Sequence, residues 1–204
     1  MQAAFLDRDG VINELVYFEE AGIIDSPFHE DQVRLVPGAA AAIRGLNEAG
    51  TKVFVVSNQP CVAKGHCGYD RLDRITERMH SLLAEGGAAV DAVYYCLHHP
   101  EARIPELRVD CECRKPKPGL IQRAAAEHEI DLSRSYFVGD SITDVQAGLA
   151  AGCKTVLLTR MRCDLCQHLD ERGVKPDQIF PSLREAARFL QEEGIPDAAL
   201  HRYR

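Results

Sequence analysis

Short apolar, β-branched runs alternate along this chain with longer segments of helical period, and few folds accommodate that alternation. The runs at residues 3–6, 52–57, 92–95, 136–138 and 154–158 read as buried strands, because parallel strands covered on both faces are almost continuously apolar. Amphipathic periodicity predicts helices over residues 38–49, 70–85, 120–127, 143–150 and 182–193. Ser182 is the expected cap of the last, and Gly194-Ile195-Pro196 ends it. Strands separated by crossover helices imply an α/β fold with a doubly wound parallel sheet. At 204 residues and 46% hydrophobic content the chain can fill one core. No repeat, low-complexity stretch or linker divides it, so residues 1–204 read as a single domain. Residues 14–22 lack both a clear period and the length of a separate cap domain, so access to a site at the sheet edge is expected to be open.

The polar residues that follow these strands carry the chemistry. Asp7 and Asp9 follow Phe5-Leu6, and positions i and i+2 of a strand face the same way, at the edge where open α/β sheets place ligands. One carboxylate there can attack phosphorus while the other handles the proton of the departing oxygen. A D-x-D alone is equally consistent with a metal-binding or turn element. Ser57 ends the second strand and can donate to a phosphoryl oxygen, with Asn58 and Gln59 placed to meet substrate hydroxyls. A polar turn would look the same.

In Arg114-Lys115-Pro116-Lys117-Pro118-Gly119 the prolines stiffen the backbone around fixed cations. Lys115 is suited to neutralising phosphate charge and Arg114 to gripping a second anionic or hydroxyl-rich part of a substrate; the alternative is a solvated basic turn. Asp140 follows the strand at 136–138, where a carboxylate can hold Mg²⁺ together with substrate phosphate. Asp144, one helical turn on, is placed either to orient Lys115 or the metal shell or simply to cap the helix.

Cys96-Leu97-His98-His99-Pro100 and Cys111-Glu112-Cys113 give C-x-H followed by C-x-C. Three thiolates and one imidazole make a tetrahedral Zn²⁺ set without an open position, hence a structural site pinning a loop of about residues 96–113. His98 or His99 can supply the imidazole, and buried thiols or a disulfide are the competing readings. Cys163-Asp164-Leu165-Cys166 is a C-x-x-C without a second nearby pair, and Cys61, Cys67 and His168 complete another site only if folding brings them together. Cys153 reads as a buried thiol.

In this order the D-x-D, the serine, the lysine and the terminal acidic motif resemble the haloacid dehalogenase superfamily of Mg²⁺-dependent phosphotransferases, over nearly the whole chain. The resemblance implies Asp7 as nucleophile, Asp9 as general acid/base and Ser57 and Lys115 as phosphate binders. It also implies Asp140 as a Mg²⁺ ligand beside Asp7 and the Asp9 carbonyl. The C-x-H-H-P and C-x-C-R-K-P segments resemble the zinc-loop branch that holds heptose-bisphosphate and histidinol-phosphate phosphatases. There the Zn²⁺ ligands match Cys96, His98, Cys111 and Cys113. The implied activity is a phosphatase for a small phosphorylated sugar or similar metabolite. A second phosphate would call on Arg114, whereas a protonated amine would call on Glu19 or Glu20. A non-catalytic zinc-stabilised module binding phospholigands is the reading from another class.

The formal net charge of -7 and the lack of a basic stripe argue against nucleic-acid binding. No apolar stretch is long enough to span a membrane, and Met1-Gln2-Ala3-Ala4 lead straight into the first strand, leaving no room for a signal peptide. With reduced thiolates, these features predict a cytoplasmic protein.

Overall fold

The computed structural model describes residues 1–159, 169 and 171–193. Six strands form one parallel sheet: β1 (Ala3–Leu6), β4 (Lys52–Asn58), β5 (Ala92–Cys96), β6 (Tyr136–Gly139), β7 (Lys154–Leu158) and β8 (Gln178–Phe180). Their spatial order is β5-β4-β1-β6-β7-β8. The chain runs outward from β1 to one side, then returns to β1's other neighbour and runs outward again. The carboxyl end of β1 is therefore the switch point at which such sheets open a crevice.

Alternation along the strands splits the core into two layers. Ala4, Leu6, Val53, Val55 and Val138 face α1 (Ala39–Glu48), α3 (Tyr69–Glu85) and α6 (Leu183–Glu193), through Ile43, Leu46, Ile75, Met79 and Leu190. Ala3, Phe5, Phe54, Val56 and Phe137 face α4 (Gly119–His128) and α5 (Ile142–Ala151), through Leu120, Ile121 and Ala147. Phe5 sits in register with Phe54 on one side and Phe137 on the other. Both faces of the central strands are thus dry, as their continuous apolar sequence requires.

Three elements differ from the sequence expectation. Residues 14–22 do not stay irregular: β2 (Val16–Phe18) pairs antiparallel with β3 (Ile23–Asp25) in a hairpin beside the sheet edge. Tyr17 and Ile24 remain mostly exposed, so this hairpin lacks the apolar alternation that marks a strand packed on a core. A one-turn α2 (Cys61–Lys64) follows β4, and β8 is a three-residue edge strand; both are too short to show a period. The Gly194-Ile195-Pro196 stop lies outside the described residues, whereas the Ser182 hydroxyl accepts from the Glu185 N–H as a cap should.

Candidate active site and metal centre

Asp7 is the first residue beyond β1, and its N–H donates to the Val138 carbonyl of β6, anchoring it at the switch point. Its Oδ1 accepts from the Arg8 N–H at 2.8 Å and from Lys115 Nζ at 2.9 Å, which fixes the plane of the carboxylate. Lys115 Nζ uses its two other donors on Asp144 Oδ1 at 2.6 Å and the Val56 carbonyl at 3.0 Å. Burial alone would push the Lys115 ammonium toward neutrality, but Asp144 and Asp7 outweigh it and hold the charge on.

Asp144 joins two tasks. Its Oδ2 accepts from the Ser141 N–H and hydroxyl in a reciprocal cap of α5, while Oδ1 grips Lys115. The cap and the lysine-orienting role are one carboxylate. Gly139 is required beside it, because a Cβ there would collide with the Asp144 carboxyl. Gly10 has φ 80°, and a Cβ would run into the Asp140 carboxylate.

Asp140 follows β6 directly. Burial, then the neighbouring Asp7 and Asp144 charges, push its carboxyl up to about 7. Asp7, Asp140 and Asp144 bring ligand oxygens within 4.8 Å of one another. With Asp144 committed to Lys115, Asp7 and Asp140 are the pair with capacity for a hard cation, and their crowded negative charge fits one.

Asp9 does not continue a strand. It lies in the turn after β1, and its carboxylate accepts from Arg8 Nε, Arg8 Nη2 and Asn13 Nδ2 at 3.2, 3.1 and 2.8 Å. Gln59 Nε2 donates to it as well and to Ser57 Oγ at 3.1 Å. Gln59 is fully buried, so instead of meeting substrate hydroxyls it ties Asp9 to Ser57. Asn58 holds the main chain of Lys115, its amide donating to the carbonyl and accepting from the N–H. Arg8 was not singled out from sequence. It is fully buried between the two acids, with Tyr95 beneath its guanidinium and Gln59 Oε1 2.7 Å from Nη2. The signal was a cation flanked by two acids in an apolar context.

A cavity of about 250 Å³ opens here, lined by Asp7, Asp9, Ser57, Asn58, Lys115 and Asp140 and also by Leu15, Asp25, Ser26, Pro60 and Arg114. The hairpin therefore contributes Asp25 to the wall, and among the described residues no large cap covers it. Glu19 and Glu20 are not among the lining residues.

Cys96 closes β5, and the excursion that follows returns to it: Cys111 and Cys113 Sγ lie 3.6 and 3.3 Å from Cys96 Sγ, and His98 Nδ1 is 3.3 Å from Cys113 Sγ. All three cysteines are free thiols. His99 is elsewhere, its Nδ1 accepting from the Glu101 N–H. Three sulfurs and one imidazole nitrogen converging on one point suit a tetrahedral ion, whose ligand sulfurs stand about 3.8 Å apart. Arg114 follows directly, and its Nη1 donates to the His98 carbonyl at 3.0 Å, so the cluster holds a cation of the cavity lining. Cys153 is buried, and Cys163, Cys166 and His168 lie outside the described residues.

The chain is similar to known proteins over most of its length. A family model described as HAD-hydrolase-like matches residues 112–186. The D-glycero-beta-D-manno-heptose-1,7-bisphosphate 7-phosphatase of Escherichia coli K12 is 38% identical over 196 residues, 95% of this chain and 96% of the relative. The protein of that name from Rhodopseudomonas palustris is 43% identical over 150 residues, 74% of this chain and 79% of its own. The crystal structure of the D,D-heptose 1,7-bisphosphate phosphatase from B. bronchiseptica, complexed with magnesium and phosphate, superposes with a TM-score of 0.78 at 31% identity. It covers 95% of this chain and 99% of that one.

Proposed function

The chain belongs to the heptose-bisphosphate phosphatase family of haloacid-dehalogenase-like hydrolases, and from that membership we propose that it removes the 7-phosphate of D-glycero-beta-D-manno-heptose 1,7-bisphosphate through an aspartyl-phosphate. The observation that carries the reading is the contact of Lys115 Nζ with Asp7 at the strand switch point, beside Asp140 and within reach of Ser57. Asp7 attacks phosphorus, forming the acyl-phosphate bond as the bond to the sugar oxygen breaks, and Asp9 delivers the proton to that oxygen. Asp9 then takes a proton from the water that attacks the aspartyl-phosphate. Ser57 and Lys115 bind the phosphoryl oxygens, so the work is positioning and charge neutralisation.

Asp7, Asp140 and the Asp9 carbonyl would hold Mg²⁺, which when bound supplies positive charge against the transferring phosphoryl group. Cys96, His98, Cys111 and Cys113 would hold Zn²⁺, which fixes the loop and thereby Arg114; Arg114 in turn meets the second phosphate. That Arg114 lines the cavity while Glu19 and Glu20 do not supports a second phosphate over a histidinol amine. Reduced thiolates suit the cytoplasm, and among the described residues no helix is long and apolar enough to cross a membrane.

Phosphate release with Mg²⁺ present, from both heptose 1,7-bisphosphate anomers and histidinol phosphate, tests the reading. We expect kcat/KM to favour the β-heptose bisphosphate by about a hundredfold, near 2.7 kcal/mol, and to vanish in Asp7→Asn. A preference for histidinol phosphate would overturn the substrate, and full activity in Asp7→Asn would overturn the nucleophile.

A further inference from the structure

Outside the site and the zinc cluster, one pair of nucleophilic side chains has no assigned task. Cys61 opens α2 immediately after Pro60 of the cavity lining. The chain turns back at Gly65, φ 73°, and the N–H groups of His66 and Cys67 donate to the Cys61 carbonyl at 2.8 and 3.3 Å. This turn brings the two free thiols together, Sγ to Sγ 2.7 Å, with Cys61 buried and Cys67 partly accessible.

A metal does not explain the pair. The sulfurs are closer than any two of the zinc set, which stand 3.2 to 3.6 Å apart, and closer than the roughly 3.8 Å of tetrahedral ligands. Among the described residues no third ligand group joins them. Their neighbourhood matters to the cavity. His66, between them in the turn, stacks on Phe28 with centroids 4.6 Å apart, and Phe28 stacks on Phe18 of β2 at 4.4 Å. The thiol pair therefore lies beneath the aromatic seat of the hairpin.

We propose that Cys61 and Cys67 are a reversible disulfide site, oxidised by a peroxide, at the base of that hairpin. Cys67 is the attacking thiol: it is the more accessible of the two, and its hydrogen bond with Cys61, together with the Arg8 and Arg71 charges, holds its pKa below the usual thiol range despite burial. Its thiolate attacks one peroxide oxygen, the O–O bond breaks, and Cys67 becomes a sulfenic acid as hydroxide departs. The Cys61 sulfur then displaces the sulfenic oxygen, which leaves as water carrying the Cys61 proton. Overall, two thiols lose two hydrogens and one peroxide becomes two waters. Closing the bond needs the sulfurs to approach from 2.7 Å to the covalent separation of about 2.05 Å, a small adjustment for a loop of seven residues.

Lys64 lies between the two cysteines, so trypsin separates residues 53–64 from 65–71. Zinc-loaded full-length protein is exposed to hydrogen peroxide, its remaining thiols are alkylated, and the digest is read by mass spectrometry with zinc measured in parallel. We expect the two peptides joined, two hydrogens lighter than their sum, with zinc retained. The joined species should disappear on treatment with dithiothreitol and be missing from Cys67→Ser. Recovery of both peptides singly alkylated, oxidation of Cys67 to sulfinic acid without the link, or oxidation of the zinc-set cysteines before the pair would each overturn the proposal.

Discussion

Asp144→Asn is the substitution that probes the site most sharply, because it keeps the shape and removes one charge. The carboxylate is 1% exposed and serves two sets of donors, Lys115 on Oδ1 and the Ser141 N–H and hydroxyl on Oδ2. An amide has one oxygen. If that oxygen faces Lys115, its NH₂ confronts the Ser141 N–H; if it faces Ser141, the NH₂ confronts an ammonium. Either way a buried donor loses its acceptor, at about 1–3 kcal/mol, and a charged hydrogen bond weakens by a similar amount. Breaking one partner of a buried pair costs about 3–5 kcal/mol in total, equivalent to roughly 10 °C in Tm for a chain of this size. Urea unfolding of wild type and variant measures it. A second arm uses Lys115→Met: that variant leaves crowded carboxylates unneutralised, so Asp144→Asn in its background should cost less, by about 1–3 kcal/mol of coupling. A loss under about 1 kcal/mol, the range of exposed pairs, or strict additivity of the two substitutions, would refute the argument.

Three further outcomes follow from the same geometry. Zinc removal by a chelator should raise KM by tenfold or more (about 1.4 kcal/mol) with a smaller fall in kcat, because Arg114 hangs on the His98 carbonyl whereas Lys115 is separately braced by Asn58; steady-state kinetics with zinc restored as control checks this, and an equal effect on both constants would contradict it. Gln59→Leu should lower kcat by about tenfold to a hundredfold with little change in KM, because it frees Asp9 without touching the cavity. Asp140, raised to about 7, binds a proton in the folded state that the unfolded chain releases near 3.8. Its contribution to stability without Mg²⁺ is therefore lost as pH climbs through about 4 to 7. Added Mg²⁺ competes with that proton, so its increment in Tm should be larger at pH 8 than at pH 5, and equal increments would count against Asp140 as a ligand.

Much of this was legible in the sequence because the central strands are buried on both faces, which leaves an unbroken apolar signature ending in a polar one. That rule places Asp7, Ser57 and Asp140 at the carboxyl ends of β1, β4 and β6, but not Asp9, which lies in the turn beyond β1 instead of continuing the strand. What escaped were elements whose reason is local geometry: the exposed hairpin of residues 16–25, the single turn of α2, and the three-residue edge strand β8. Gln59 and Asn58 show the finer limit. An amide at a strand end is equally suited to holding a ligand or a neighbouring side chain, and only the fold, by burying Gln59 while leaving Asn58 in the cavity wall, tells the two apart. Arg8 escaped because a buried arginine runs against the usual fate of the residue, and although Asp9 is its neighbour in the chain, the rest of its compensation, from Gln59 and Tyr95, comes from segments distant in sequence.

The excursion between His98 and Cys111 is held at three places: the side chains at its two ends meet, and its middle is anchored in the body of the protein, where Ala102 and Leu107 are buried with Val62, Ala63 and Leu72 and the N–H groups of Arg103 and Ile104 donate to the Ala63 carbonyl. The metal cluster and α2 are therefore two ends of one brace rather than separate parts. A change at residues 102–107 is felt both at the turn that follows β4 and at the cluster that precedes Arg114, so the two sides of the cavity are tied through a segment that does not itself line it.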